Sequence, residues 1–446
     1  MALPASNRGY NSGVSGDAAI YTPSGPSASP SSEARWKTYG CLALLLIGLH
    51  LVVGPKILLS QWRVTPDGNT GLEEALQWRK GSLALSHRFY ESSESGGRYY
   101  NAIGPAFTFL ALAATSLDDL LAAPAGTEAS ASAPAGLSSA LYVTLVALPL
   151  PFVAFWAFRG IVRTSPWAAV LAAALIAGTS LTPVLATCRE GSIYYINHVL
   201  ATVGLLVFAA ELLGRRRLWL AAIGLCLAAW SRQMTVLYAL PLLWLAWSRT
   251  GAGAGGSSLG RRRRMIVAAG GVFVAIAVPL TLNTLKFGSP FDTGYGRLYE
   301  GRTDQIGRRA QEALFDLRYV PMQARAMNLA YPAWDIRAGT FHADISGIDG
   351  GSIWLTSPLL LGAIVTIRRW WSDPARRALM LGTLPVIAGL MCYHTTGADR
   401  AGYYRYSLDF IPVWLLVIAP YTSGRRGVPL TLACLAYSAL YFNILP

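Results

Sequence analysis

Three carboxylates and a few cations stand where a mostly apolar chain briefly turns polar. Asp67, Glu73 and Glu74 follow closely on the first apolar run, Tyr39–Leu59. A carboxylate in that position can take the proton of an incoming hydroxyl. Arg232 interrupts an apolar stretch between Ser231 and Gln233, and Arg405 lies among Tyr403, Tyr404 and Tyr406 with Asp409 a turn further on. A guanidinium is a planar fork that grips phosphate through parallel hydrogen bonds. A base for an acceptor and a cation for a departing phosphate are the two requirements of group transfer from a phosphate ester.

Each of these residues also has a structural reading. Asp67 precedes a helical pattern and suits an N-cap. Arg232 can snorkel to a membrane surface, and Arg405 can pair with Asp409 within one helical turn. His198 opens an apolar helix after Tyr194-Tyr195-Ile196-Asn197, where it either binds a sugar or phosphate or simply packs. Arg98, Tyr99 and Tyr100 either line an acceptor groove or belong to an interfacial aromatic belt. Sequence alone leaves both readings open.

The elements that must position these residues are long apolar runs. Tyr39–Leu59, Trp167–Ala186, Ile196–Leu213, Met265–Leu282 and Val428–Leu445 are long enough, at about 1.5 Å per residue, to cross about 30 Å of hydrocarbon. With 53% hydrophobic and only 13% charged residues, the composition lies outside the soluble range. The expected fold is all-α, a polytopic membrane protein with about 10–12 transmembrane helices. Three stretches resist a simple count. Residues 218–247 form two short apolar pieces split by Ser231-Arg232-Gln233, either a thin hairpin or a re-entrant pair. Gly104–Leu117 and Leu408–Tyr421 are similarly short.

Arginine placement gives sidedness. Arg215-Arg216-Arg217, Arg261 to Arg264, Arg368-Arg369, Arg376-Arg377 and Arg425-Arg426 mark a cytoplasmic face, which membrane proteins enrich in basic residues. The net charge of +14 then reflects topology, and no nucleic acid partner is expected. Residues 1–34, rich in Ser, Gly, Pro and Ala, read as a disordered cytoplasmic tail. Residues 35–446 form a multi-pass domain of the cell (inner) membrane, its N-terminus cytoplasmic. Outer loops 60–103 and 283–350 form the presumed active face, and residues 296–349 suit an amphipathic helix on the surface with Leu314, Phe315 and Tyr319 inward.

Several classes are excluded or weakened. There is no P-loop, G-x-S-x-G, H-E-x-x-H or Rossmann pattern. The five cysteines form no C-x-x-C pair, so neither a disulfide framework nor a zinc site is suggested. No internal repeat is evident and ionisable residues gather at one surface, which weighs against a transporter. A non-catalytic scaffold or lipid-binding protein stays open, because every candidate residue has a structural role available.

Several short segments then fall in a telling order. They are Trp62-Arg63-Val64-Thr65-Pro66-Asp67-Gly68, Asn283 to Tyr295 (N-T-L-K-F-G-S-P-F-D-T-G-Y), Gly350 to Leu360 (G-G-S-I-W-L-T-S-P-L-L) and Gly402 to Pro412 (G-Y-Y-R-Y-S-L-D-F-I-P). Across about residues 39–420 the chain resembles bacterial members of the GT-C superfamily. These integral-membrane glycosyltransferases include protein O-mannosyltransferase-like and lipid A aminoarabinose transferase-like proteins. The resemblance implies an inverting transferase that moves a sugar from a polyprenyl-phosphate donor to an extracytoplasmic lipid, glycan or protein, with membrane lipid as surroundings. It places the acceptor's base at Asp67. The family often pairs two acids there; here Gly68 follows, and Glu73 and Glu74 come a turn or two later. It also implies a lid over the active cavity at residues 296–349. No cofactor is expected, and nothing in the sequence asks for a divalent cation.

Overall fold

The computed structural model describes residues 39–40, 66–89, 92–122, 149–162, 164–188, 193–248, 258–330, 333–337, 340–344, 351–397, 402–424 and 426–444. The expected tail and nearly all of the first apolar run lie outside these residues. The described chain is helical. Its helices are α1 (Pro66–Arg79), α2 (Pro105–Ala122), α3 (Pro149–Arg159), α4 (Ser165–Ala177), α5 (Leu181–Cys188), α6 (Ile193–Ala210), α7 (Leu218–Ser231), α8 (Ala239–Ser248), α9 (Ser258–Phe287), α10 (Gln305–Glu312), α11 (Pro374–Met391), α12 (Ile411–Thr422) and α13 (Gly427–Ile444). Shorter helical turns link them. Two small antiparallel hairpins complete the described fold: β1 (Ser92–Ser95) with β2 (Arg98–Asn101), and β3 (Ala333–Arg337) with β4 (Thr340–Asp344).

Local sequence explains where helices start. Proline opens α1, α2, α3 and α11, at a position whose N–H needs no partner. Asp373 caps α11 by accepting from the N–H groups of Ala375 and Arg376 at 2.9 and 3.2 Å. Among the described residues, two helices are long and apolar enough to cross a membrane, Tyr194–Arg215 and Leu259–Phe287. The first is mostly buried in the bundle. The second buries only 11% of its apolar window and turns Ile266, Phe273 and Leu285 outward.

The core is built on close backbone approach. Helices α6 and α7 run antiparallel, and a Cβ at Gly204 would meet the Gly224 carbonyl at 2.6 Å and the Ala228 N–H at 2.7 Å. Small residues let two apolar helices touch where larger ones would hold them apart. Helix α9 runs alongside α7, with Gly271 against Ala222. Arginines cluster where α6 passes into α7. There Arg217 closes on the buried Glu211 at 2.5 Å, and Arg215 lies over Trp156 at 4.9 Å. His198, Arg232 and Asp409 lie at the opposite helix ends.

The break within residues 218–247 falls where the sequence places it, and one expectation changes. Residues 218–247 form α7, a 3-10 stretch Gln233–Tyr238, and α8. The break falls at Arg232, whose extended backbone (φ −138, ψ 100) ends α7. The expected single surface helix within 296–349 is instead several short turns. Asp304 and Asp316 each cap a new one, accepting from Gly307 and Arg318 N–H groups at 2.8 and 2.9 Å. Tyr319 is buried as expected, while Phe315 is 47% exposed.

Candidate functional site

The end of α7 divides two polar clusters. In the first, Asp409, wholly buried, accepts from Arg232 Nε at 3.2 Å and from Arg232 Nη2 at 3.1 Å. His198 Nδ1 stands 3.8 Å from the same carboxylate. The Tyr238 hydroxyl donates to the Asp409 carbonyl at 3.1 Å. Tyr406 lies between the two arginines, its ring 4.7 Å from the Arg232 guanidinium and 5.5 Å from that of Arg405. Arg405 also covers Tyr195 at 4.8 Å. Four residues flagged from sequence, His198, Arg232, Arg405 and Asp409, thus meet in one place.

One expected pairing differs. Asp409 takes its arginine from Arg232, far away in sequence, rather than from Arg405. Residues Arg405–Asp409 form a 3-10 turn, in which side chains four apart do not share a face as they would in an α-helix.

The second cluster centres on Glu74, which has no exposed surface. Its carboxylate forms an ion pair with Lys286 and accepts from the Thr108 hydroxyl, and it accepts from Asn101 Nδ2 at 2.7 Å. Lys286 Nζ also donates to the Asn101 carbonyl at 2.9 Å. Glu74 stands out in the sequence, whereas its cation does not. Lys286 sits inside N-T-L-K-F-G, so a lone lysine at the end of an apolar helix was the available signal.

A small cavity beside Lys286 and a larger open groove share Leu282. One, about 20 Å³, is lined by Asn101, Gly104, Trp230, Gln233, Asn283 and Lys286, with room for about one water. The other is an open apolar groove of about 360 Å³ between Trp78, Leu83 and Phe109 on one side and Val278, Thr281 and Leu282 of α9 on the other. Gly104 makes the junction possible, because a Cβ there would collide with the Trp230 carbonyl. The indole N–H groups of Trp78 and Trp230 are buried without a hydrogen-bond partner. Such orphan donors favour an incoming oxygen acceptor.

The remaining flagged residues lie elsewhere. Asp67 falls in the first turn of α1, and its side chain lies outside the described residues. Glu73 faces away from Glu74's partners and accepts from Gln77 Nε2 at 2.7 Å. Partial burial raises its pKa, but hydrogen bonds with Gln77 and Ser86 and the nearby Lys80 outweigh this and leave it below the usual value. Arg98 is exposed on β2 and Tyr99 is partly buried, while Tyr100 packs edge-on against Phe287 at 5.8 Å. Among the described residues, no group of three or more His, Cys, Asp or Glu side chains is placed to hold a metal. The chain matches no protein-family model, and no curated protein is similar enough to it to count as a relative.

Proposed function

We propose that this chain is a multi-pass membrane glycosyltransferase of GT-C type, with about 10–12 spans, acting on a polyprenyl-phosphate sugar at the outer membrane surface. The reading rests on one observation. A buried carboxylate–ammonium pair, Glu74 with Lys286, lies beside a small cavity that Lys286 lines and that shares Leu282 with an apolar groove walled by the exposed helix α9. A prenyl chain would lie in the groove with its phosphate on the side of Lys286, whose ammonium stands 5.9 Å from the Trp78 ring that lines the groove. The acceptor hydroxyl attacks the anomeric carbon as the carbon–oxygen bond to phosphate breaks. A carboxylate takes the hydroxyl proton, and polyprenyl phosphate leaves with the bonding pair. Glu74 is the described carboxylate nearest this junction, and the motif likeness adds Asp67. Arg232 and Arg405 bring further positive charge to the same helix ends.

A lipid-binding protein without catalysis is the second reading. It is favoured by the fact that Glu74 is already held by Lys286, Asn101 and Thr108. Glu74→Gln separates the two. Membranes carrying the protein are supplied with a polyprenyl-phosphate-linked radiolabelled sugar, and release of polyprenyl phosphate is followed alongside its binding. Loss of a positioned base should cut transfer about 10²–10⁴-fold while lipid binding persists. Binding by the wild type with no transfer at all would leave the lipid-binding reading in place.

A further inference from the structure

His394 has no exposed surface, and neither ring nitrogen has a hydrogen-bond partner. The rings of Tyr393, Tyr299 and Tyr295 surround it, with centroids at 4.4, 5.1 and 6.5 Å. Its backbone is part of a fastening. The His394 N–H donates to the Leu314 carbonyl at 3.0 Å, the Asp316 N–H donates to the Cys392 carbonyl at 2.8 Å, and Phe315 bridges Tyr393 antiparallel. Gln323, also fully buried, donates to the carbonyls of Tyr393 and Thr395 at 2.8 and 2.7 Å and accepts from the Tyr404 hydroxyl at 2.8 Å. These contacts clamp outer residues 305–330 onto the chain that leaves α11. Beneath the clamp, Tyr393 lies 5.7 Å from Tyr406, the ring that covers Arg232.

We propose that His394 is an acid-sensitive latch: its neutral ring lets the outer segment dock over the Arg232–Asp409 cluster, and its protonation releases that segment. This does not depend on the transferase reading. A proton on His394 would leave a buried cation with no hydrogen-bond acceptor at either ring nitrogen, and with Arg309 as the charged group facing it from the docked segment. The nearby carboxylates Glu312 and Asp316 are already engaged by Arg318, at 2.7 and 3.4 Å. Burial, only partly offset by the Leu314 contact and reinforced by Arg309, drops the His394 pKa to about 4.

The sign follows from linkage. A released histidine titrates near its ordinary value of about 6.5, so above that pH both states are neutral and docking is at full strength. As pH falls towards 4, the released state binds a proton that the docked state refuses, and docking weakens. With these two values the docked-to-released ratio falls about 60-fold between pH 7 and pH 4.5.

Hydrogen exchange on the full chain in lipid nanodiscs tests this, with rates corrected for the intrinsic pH dependence of exchange. Protection at Leu314–Arg318 and Tyr393–Thr395 should drop about 60-fold from pH 7 to pH 4.5, while the α6–α7 core around Gly204 and Gly224 stays protected. In His394→Gln, whose side chain cannot titrate, that drop should vanish. Unchanged protection in the wild type, an equal drop in the variant, or simultaneous loss in the core would each overturn the latch. The wild-type arm stands even if the variant fails to fold.

Discussion

Asp409→Asn gives the most direct measure of the buried cluster. The substitution keeps size and shape and removes the charge that Arg232 faces at 3.1 Å. Breaking a buried ion pair by neutralising one partner costs about 3–5 kcal/mol, because the other charge is left uncompensated. The Arg232 side chain is 20% exposed and Asp409 is 0% exposed, so water relieves the arginine in part and the expected loss is about 3 kcal/mol. The amide oxygen retained at position 409 recovers only about 0.5–1.5 kcal/mol of hydrogen bonding, already within that range. Arg232→Met strands the fully buried carboxylate instead and should cost about 4–5 kcal/mol. The double variant removes both demands, so its loss should fall at least about 2 kcal/mol short of the sum. Reversible unfolding in a detergent titration, followed by tryptophan fluorescence, supplies all three free energies. A stability for Asp409→Asn within about 0.5 kcal/mol of the wild type, or strict additivity in the cycle, would refute the account of this pair.

Two further outcomes follow from the geometry. Gly204→Ala should destabilise the protein by at least about 1–3 kcal/mol, the cost of overpacking, since its Cβ would lie 2.6 Å from the Gly224 carbonyl; a neutral result in the same titration would mean that α6 and α7 separate without cost. In a background stripped of native cysteines, Glu94→Cys should react with an impermeant thiol reagent applied outside intact cells and Ser372→Cys should not. Both positions are exposed, so the reverse pattern would invert the sidedness on which the proposed active face depends.

The sequence by itself determined the helical character of the chain and the break within its central apolar stretch. Long apolar runs leave the backbone no better way to satisfy its own hydrogen bonds than a helix. Ser231-Arg232-Gln233 stood out because a cation and two polar groups cannot extend an apolar face. It also singled out His198, Arg232, Arg405 and Asp409, since ionisable residues beside apolar runs are rare enough to notice. What it left open was who meets whom. A short-range rule pairs Arg405 with Asp409, yet the chain turns there as a 3-10 helix and the carboxylate goes to Arg232 on another element. Glu73 and Glu74 are adjacent and chemically near identical, and only packing against α2, β2 and α9 buries one while leaving the other partly in solvent. The partner of Lys286 and the His394 clamp were hidden for the same reason. Their roles come from contacts between segments far apart in the chain, and the sequence periodicities that reveal helices carry no information about which helix lies opposite.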